Sequence, residues 1–400
     1  MDIFEKSYIG KCELNNRIIR SATFEGMCDD DGYPGKTYYD HYRMLSRNEI
    51  GGIITGFSYI KKEGRAMHPG QAGIDDEFKI PYFRKMTEEV HRNGSRIFMQ
   101  IFHAGRQTKE EVTGTQPVGC SPIGSSYFKD KPRTLSTEEV YEVAEKFGQS
   151  ALFTKKAGFD GIQLHAAHGY LVHQFILPYL NTRKDEFSVD RDSGIGTSFL
   201  GLVMDNIRLK CGQDYPLLVK VSRGDDLSGS FTTRHFISLI RFLAKKKADA
   251  VEVSYGTMDH ALNIFRGGIP LDYILKYNPV YKHESRFMQY VWKNFISPGI
   301  KKRFHPFTPM YNLHHATLAK RLSNLKIISV GGFRSYEEIS QALRRKCTDF
   351  VALSRPFIRE PDLVRKIKSK NYQSSCKNCN KCAIMCDSLE HTQCYNNKKF

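Results

Sequence analysis

Four hundred residues with 40% hydrophobic content suffice for one large domain or two ordinary ones built on a real core. The formal charge is +17, but the basic residues are scattered, with short clusters only at Lys245–Lys247 and Arg344–Lys346 and no aromatics alternating with them. This pattern favours solvated helix faces over a nucleic-acid interface and leaves the charge to gather phosphorylated ligands. No apolar run reaches membrane-span length, and Asp2, Glu5 and Lys6 interrupt any leader-like start, so a soluble, cytoplasmic chain with no membrane partner is expected.

Short β-branched runs alternate with helical patterns along the chain. The first expected strands are NRIIRSA from Asn16, GGIIT from Gly51 and RIFMQIF from Arg96. Gln100 is polar inside the third; a buried amide needs a partner, and its donor and acceptor suit the edge of a heterocycle. The segment STEEVYEVAEKFGQSALFTKKAG then predicts a helix, with a capping box from Ser136 to Glu139 and a stripe of Val140, Val143, Ala144, Phe147, Ala151 and Leu152. Gly158 is placed to terminate it. The fourth strand, GIQLH from Gly161, ends on His165, and His168 and Tyr170 follow within five residues. Two imidazoles can hold an anionic or carbonyl oxygen, and a phenol beside them can donate a proton. A zinc site that adds His103, at the end of the third strand, is the alternative for these residues.

Two more strands, PLLVKVS from Pro216 and DAVEVS from Asp249, flank the helical pattern FTTRHFISLIRFLAKKK. About 70 residues rich in aromatics then precede the seventh strand, and residues 256–315 are expected to form a lid or wall over a binding site, or else a surface embellishment. LKIISV from Leu325 and DFVALS from Asp349 complete the set. Gly331 and Gly332 allow backbone amides to approach a ligand, Arg355 adds a fixed charge, and a helix begins after each loop, so an anion is expected there. The pattern SYEEISQALRRKC repeats the capping logic from Ser335 to Glu338. Eight βα units predict a (β/α)8 TIM barrel over residues 1–365. An open doubly wound sheet is the competitor, weakened because no G-x-G-x-x-G follows the first strand.

Five of the ten cysteines, Cys376, Cys379, Cys382, Cys386 and Cys394, crowd a separate segment at 366–400. In a cytosolic chain such spacing reads as metal chemistry before disulfides. The first four fit the C-x2-C-x2-C-x3-C run of ferredoxins, and a four-sulfur site for an iron–sulfur cluster or zinc is the expectation.

Taken together, NRIIRSATFEGM, GGIITGFSYIKKEGR, QIFHAGRQ, AGFDGIQLHAAHGYLVHQFILPYLNTRKDEF, VKVS, SVGGFRS and DFVALSRPFIREPDL resemble the Old Yellow Enzyme family of flavin-dependent ene-reductases, in family order from Asn16 to Leu363. The resemblance implies FMN at the barrel mouth. Ala22 and Thr23 would line the flavin with Gly56 or Phe57 beside it, Gln100 would bond its pyrimidine edge, and Lys220 would sit near N1 and O2. Gly331, Gly332, Ser354 and Arg355 would hold the phosphate. His165 and His168 would bind the substrate's activating oxygen and Tyr170 would be the proton donor. NAD(P)H would reduce the flavin, and hydride from N5 would then reach an activated alkene. Phe24, which faces the substrate in this reading, stands where relatives place a hydrogen-bonding residue, and Lys220 stands for an arginine.

The cysteine segment resembles that of the 2,4-dienoyl-CoA reductase branch. This implies Cys376, Cys379, Cys382 and Cys394 as ligands of a 4Fe-4S cluster, with Cys386 as the alternative ligand. The gap between Cys379 and Cys382 is one residue shorter than in that branch. A cluster would draw electrons from a separate donor protein or be vestigial. Two competing functions remain at this level: a flavin or iron–sulfur electron-transfer protein with little ene-reductase activity, and a metal-dependent hydrolase on the same barrel using His103, His165 and His168. The sequence is compatible with a homo-oligomer and does not specify one.

Overall fold

A computed structural model describes residues 1–66, 70–128, 130–227, 231–278, 281–282 and 285–396. Its centre is a closed barrel of eight parallel strands: β1 (Ile18–Arg20), β2 (Gly52–Tyr59), β3 (Arg96–Phe102), β4 (Gly161–Ala166), β5 (Leu217–Ser222), β6 (Ala250–Ser254), β7 (Lys326–Val330) and β8 (Phe350–Leu353). Each strand pairs with its neighbours in chain order, and β8 closes on β1 through Val351 opposite Ile18. The barrel replaces the open-sheet alternative.

Alternation along each strand explains why the runs read as continuously apolar. Ile18, Ile53, Ile97, Ile162, Val219, Val251, Ile327 and Val351 point outward into the large core beneath the helices. Their neighbours Ile19, Ile54, Phe98, Leu218, Ala250, Ile328 and Ala352 point inward and fill the barrel floor. A short hairpin, Ser7–Ile9 with Cys12–Leu14, plugs the floor with Ile9 and Leu14. Two residues further along the strands, the same inward parity brings up Gln100, Gln163, Lys220 and Glu252, so a buried polar layer lies directly above the apolar one.

The outer layer contains α1 (Lys36–Ser46), α2 (Ile80–Arg92), α3 (Thr137–Lys156), α4 (Ser198–Cys211), α5 (Thr233–Lys245), α6 (Leu313–Leu322) and α7 (Tyr336–Arg344). The α3 helix starts at the expected Ser136–Glu139 capping box and buries Val140, Val143, Ala144, Phe147 and Ala151, with Leu152 half-buried. It ends just before Gly158, whose φ is +85°. At the barrel floor, Asp160, Asp249 and Asp349 precede β4, β6 and β8. Each carboxylate accepts the amide at the start of the preceding strand, from Ile97 (2.8 Å), Leu217 (2.8 Å) and Ile327 (2.9 Å).

The long excursion after β6 forms short helices at Ala261–Phe265, Leu271–Tyr277, Arg286–Val291 and Ser297–Lys301, with a π turn at Trp292–Ile296. It stands over the barrel mouth as a wall, and so does the cysteine segment, of which residues 397–400 lie outside the described part. No helix among the described residues is long and apolar enough to cross a membrane.

Candidate active site

A cavity of about 430 Å³ opens at the C-terminal ends of the barrel strands. Of the residues singled out in the sequence, Ala22, Thr23, Phe24, Gln100, His165, His168, Tyr170, Lys220, Gly331, Gly332, Ser354 and Arg355 line it together. Gly56 does not. Its amide donates to Glu25 Oε1 (2.7 Å), and a Cβ there would collide with Glu25, while its neighbour Phe57 faces the cavity. The β2–β3 register breaks between Ile54 and Phe57, which turns Phe57 toward the mouth. Phe24 stacks on Phe57 with ring centroids 5.7 Å apart, so this wall is apolar.

His165, His168 and Tyr170 converge. The His165 ring lies 4.9 Å from His168 and 4.8 Å from Tyr170, both edge-on. His168 takes the left-handed conformation (φ +62°), which lets the chain turn back over the strand end, and its backbone amide donates to Ser222 Oγ (3.2 Å). Its Nε2 lies 2.8 Å from Ser254 Oγ, so β6 orients this imidazole. Burial, reinforced by the Lys220 charge, holds His165 well below the ordinary histidine range. Burial does the same to His168, with His165 and Lys220 adding to the shift. Both rings are therefore neutral, and His165 Nδ1 is buried with no hydrogen-bond partner among the described residues. Burial, then Asp387 and Cys386, raises the Tyr170 phenol, which keeps its proton at neutral pH.

Below them lies the polar layer. Lys220 Nζ donates to Ser21 Oγ (3.0 Å) and to Glu252 Oε1 (3.1 Å). Gln100 Nε2 donates to Gln163 Oε1 (2.6 Å), and Gln163 Nε2 donates to Glu252 Oε2 (2.6 Å). On the opposite rim, Gly331 (φ +119°) and Gly332 (φ +85°) pack against residues 308–312; a Cβ on Gly331 would sit 2.5 Å from the Tyr311 ring.

Two guanidinium groups, Arg334 and Arg355, are nearly buried beside these glycines. Burial and the neighbouring Arg355 pull Arg334 down to about 10. The Arg334 guanidinium donates to Asn378 Oδ1 and to the Phe333 carbonyl (2.9 and 2.6 Å), and two buried cations would suit an anion in the space beside them. Arg355 does not point wholly at that space. Its Nη atoms donate to the carbonyls of Phe265 and Arg266 and to Asn380 Oδ1, so it ties the excursion and the cysteine segment to the rim.

These residues fit FMN: a cation and an amide within the barrel mouth, a glycine cradle with two buried guanidiniums at one side, and an unpartnered imidazole nitrogen above. Sequence reasoning missed Ser254, Gln163, Glu252 and Arg334. The first three share the inward parity of Gln100 and Lys220, and Arg334 directly follows the GGF turn. Also missed were Tyr127 and Asn278, whose side chains reach Asp387 (3.1 and 2.9 Å) and clamp the cysteine segment over the cavity.

His103 stands apart. It lies outside the cavity lining, with Nε2 3.9 Å from Glu63 Oε1 and Nδ1 accepting from the Gly105 amide (3.0 Å). The three-histidine hydrolase site is therefore not assembled. Cys376, Cys379, Cys382 and Cys394 line a separate cavity of about 20 Å³, where Arg359 Nη1 reaches Cys394 Sγ (3.5 Å). Burial pushes the Cys382 thiol up to about 12. Cys382 also reaches the main cavity, which Cys386 lines without entering the smaller one, its Sγ bonded to the Cys382 carbonyl (3.3 Å). Among the described residues, no three histidine, cysteine or carboxylate side chains are arranged as metal ligands. The expected iron–sulfur or zinc site is thus not supported among the described residues.

A family model described as NADH:flavin oxidoreductase / NADH oxidase matches residues 2–293 and 263–374. The chain belongs to this family. It is 29% identical over 386 residues to an NADH oxidase of Thermoanaerobacter brockii, covering 96% of this chain and 53% of that protein. A cinnamate reductase of Clostridium sporogenes is 26% identical over 391 residues, covering 92% of this chain and 53% of that protein. The chain thus spans about half the length of these curated relatives. Among solved structures, morphinone reductase superposes with a TM-score of 0.71 at 20% identity, covering 94% of this chain and 91% of that one, which shows a shared fold.

Proposed function

We propose that this family member is an FMN-dependent oxidoreductase that reduces an activated C=C bond of the enone or enoate type, with NAD(P)H as reductant. The convergence of His165, His168 and Tyr170 above the Gln100–Lys220 layer, in one cavity with a phosphate cradle, carries the reading. The name of the cinnamate reductase relative points to the same bond type.

FMN, when bound, would supply the two-electron chemistry that links NAD(P)H to the β-carbon of the alkene. Gln100 and Lys220 would hold its pyrimidine edge from within the barrel, where the ammonium would favour negative charge. Gly331 and Gly332 admit the phosphate while Arg334 and Arg355 supply positive charge. Neutral His165 and His168 each donate one N–H to the carbonyl oxygen of the substrate, drawing electron density from the double bond. Ser254 fixes the His168 ring for this task. Tyr170 holds its proton on Oη for the α-carbon. The excursion and the cysteine segment exclude water, and Phe24 with Phe57 presents an apolar wall to a planar substrate.

The test is direct. Purified protein should be yellow, acid should release FMN, and anaerobic NAD(P)H should bleach the colour, which an enone then restores. A well-folded sample that stays colourless and shows no affinity for added FMN sinks the proposal.

A further inference from the structure

Glu252 is wholly buried, yet nothing in the reaction described above touches it. Its two carboxylate oxygens are divided among three partners, of which Lys220 lines the cavity. Oε1 accepts from Lys220 Nζ and from Ser21 Oγ; Oε2 accepts from Gln163 Nε2. Gln163 in turn accepts the Gln100 amide through its own oxygen.

The chemistry of the donors orders this chain. An ionised carboxylate only accepts, so Gln163 must turn its NH2 toward Glu252. Its oxygen is then the only atom left for Gln100, which must offer its NH2. Gln100 Oε1 is thereby presented to the cavity as an acceptor. An amide alone can flip; two amides in series from a carboxylate cannot, because the reversed order sets oxygen against oxygen. The same carboxylate fixes Lys220 and balances its charge in a site with almost no solvent.

We propose that Glu252 is the positioning residue of the cofactor site, holding Lys220 and, through Gln163, Gln100 in the orientations that read the pyrimidine edge. This rests on the FMN reading. Removing the carboxylate charge leaves Lys220 as an unbalanced cation beside the flavin, which favours the reduced form, and frees both amides to reverse.

The test uses E252Q, E252D, K220M and the K220M/E252Q double variant in two measurements. In FMN-loaded protein, E252Q should shift the flavin midpoint potential upward and weaken FMN binding by about tenfold, the loss of one oriented hydrogen bond, whereas E252D should stay near wild type. A wild-type potential and affinity in E252Q, or a downward shift, overturns the proposal. In cofactor-free protein, chemical denaturation should show each single variant losing more stability than the double variant, because either alone leaves a buried charge unpaired. Additive losses overturn the pairing. If wild type binds no FMN, the functional reading fails first, and the denaturation cycle still decides whether Glu252 holds Lys220.

Discussion

Tyr170→Phe separates the two halves of the proposed cycle. The ring sits in an aromatic cage, 4.8 Å from His165, 5.0 Å from Phe102 and 5.8 Å from Phe57, and phenylalanine keeps all of these contacts. The hydroxyl makes no hydrogen bond among the described residues, so its removal leaves no orphaned group and stability should change by less than about 1 kcal/mol. What is lost is the proton for the α-carbon. A positioned general acid contributes about 10²–10⁴-fold, or roughly 3–5 kcal/mol of barrier. Stopped-flow absorbance at the flavin band, recorded anaerobically, should therefore show an unchanged rate of bleaching by NAD(P)H and a rate of reoxidation by enone slowed by about two to four orders of magnitude. Equal slowing of both half-reactions would refute the proton-donor role, as would an unaffected reoxidation.

Arg334→Met should weaken FMN by about 10–100-fold, the worth of a charge-assisted contact, while leaving riboflavin affinity nearly unchanged; fluorescence titration with both ligands checks this. Gly331→Ala forces a Cβ to within 2.5 Å of the Tyr311 ring and requires φ +119°, so it should destabilise by about 1–3 kcal/mol in thermal melts and lower FMN affinity with it. Acid should unfold the protein early. His165 and His168 are held well below their ordinary range by burial, and burial takes His41 and His173 down to about 3. Each gains a proton only on unfolding, so the unfolded state binds more protons below an ordinary pKa of about 6.5, and stability falls as pH drops from there toward the folded values. The expected slope is up to about 1.4 kcal/mol per pH unit for each histidine. Denaturation midpoints at pH 7, 6 and 5 measure it, and a flat profile down to pH 4 would contradict neutral burial.

The barrel was legible because its strands carry their own punctuation: apolar runs of fixed length between capped helices such as Ser136–Glu139. His165, His168 and Tyr170 were legible because three chemically capable side chains follow one strand end. The polar layer was half legible. Gln100 stood out as an amide within an apolar strand and Lys220 through the resemblance, whereas Gln163 and Glu252 obey the same alternation but take meaning only from closure, which sets Gln163 beside Gln100 and Glu252 beside Lys220. Between Gly56 and Phe57 the sequence left the choice open, and a break in strand register, invisible in local sequence, brings Phe57 to the cavity. The cysteine spacing suggested one ligand set of four with a fifth in reserve. Only three-dimensional packing leaves Cys386 on the main cavity alone, sets Cys376, Cys379 and Cys394 on the smaller one, and places Cys382 between the two. That the same segment also walls the cavity depends on side-chain contacts between Asp387, Tyr127 and Asn278, far apart in sequence.

The pairing of Val351 with Ile18 makes the first barrel strand wait for the last. Until both are present, each end of the parallel sheet shows a row of unsatisfied amides and carbonyls, a template for sticking to other chains. Every intermediate short of that seam carries two such edges, and contacts spanning more than three hundred residues form slowly. Shortened chains that stop before Phe350 should therefore precipitate rather than persist as smaller working versions, and a soluble product should emerge only with the ring joined.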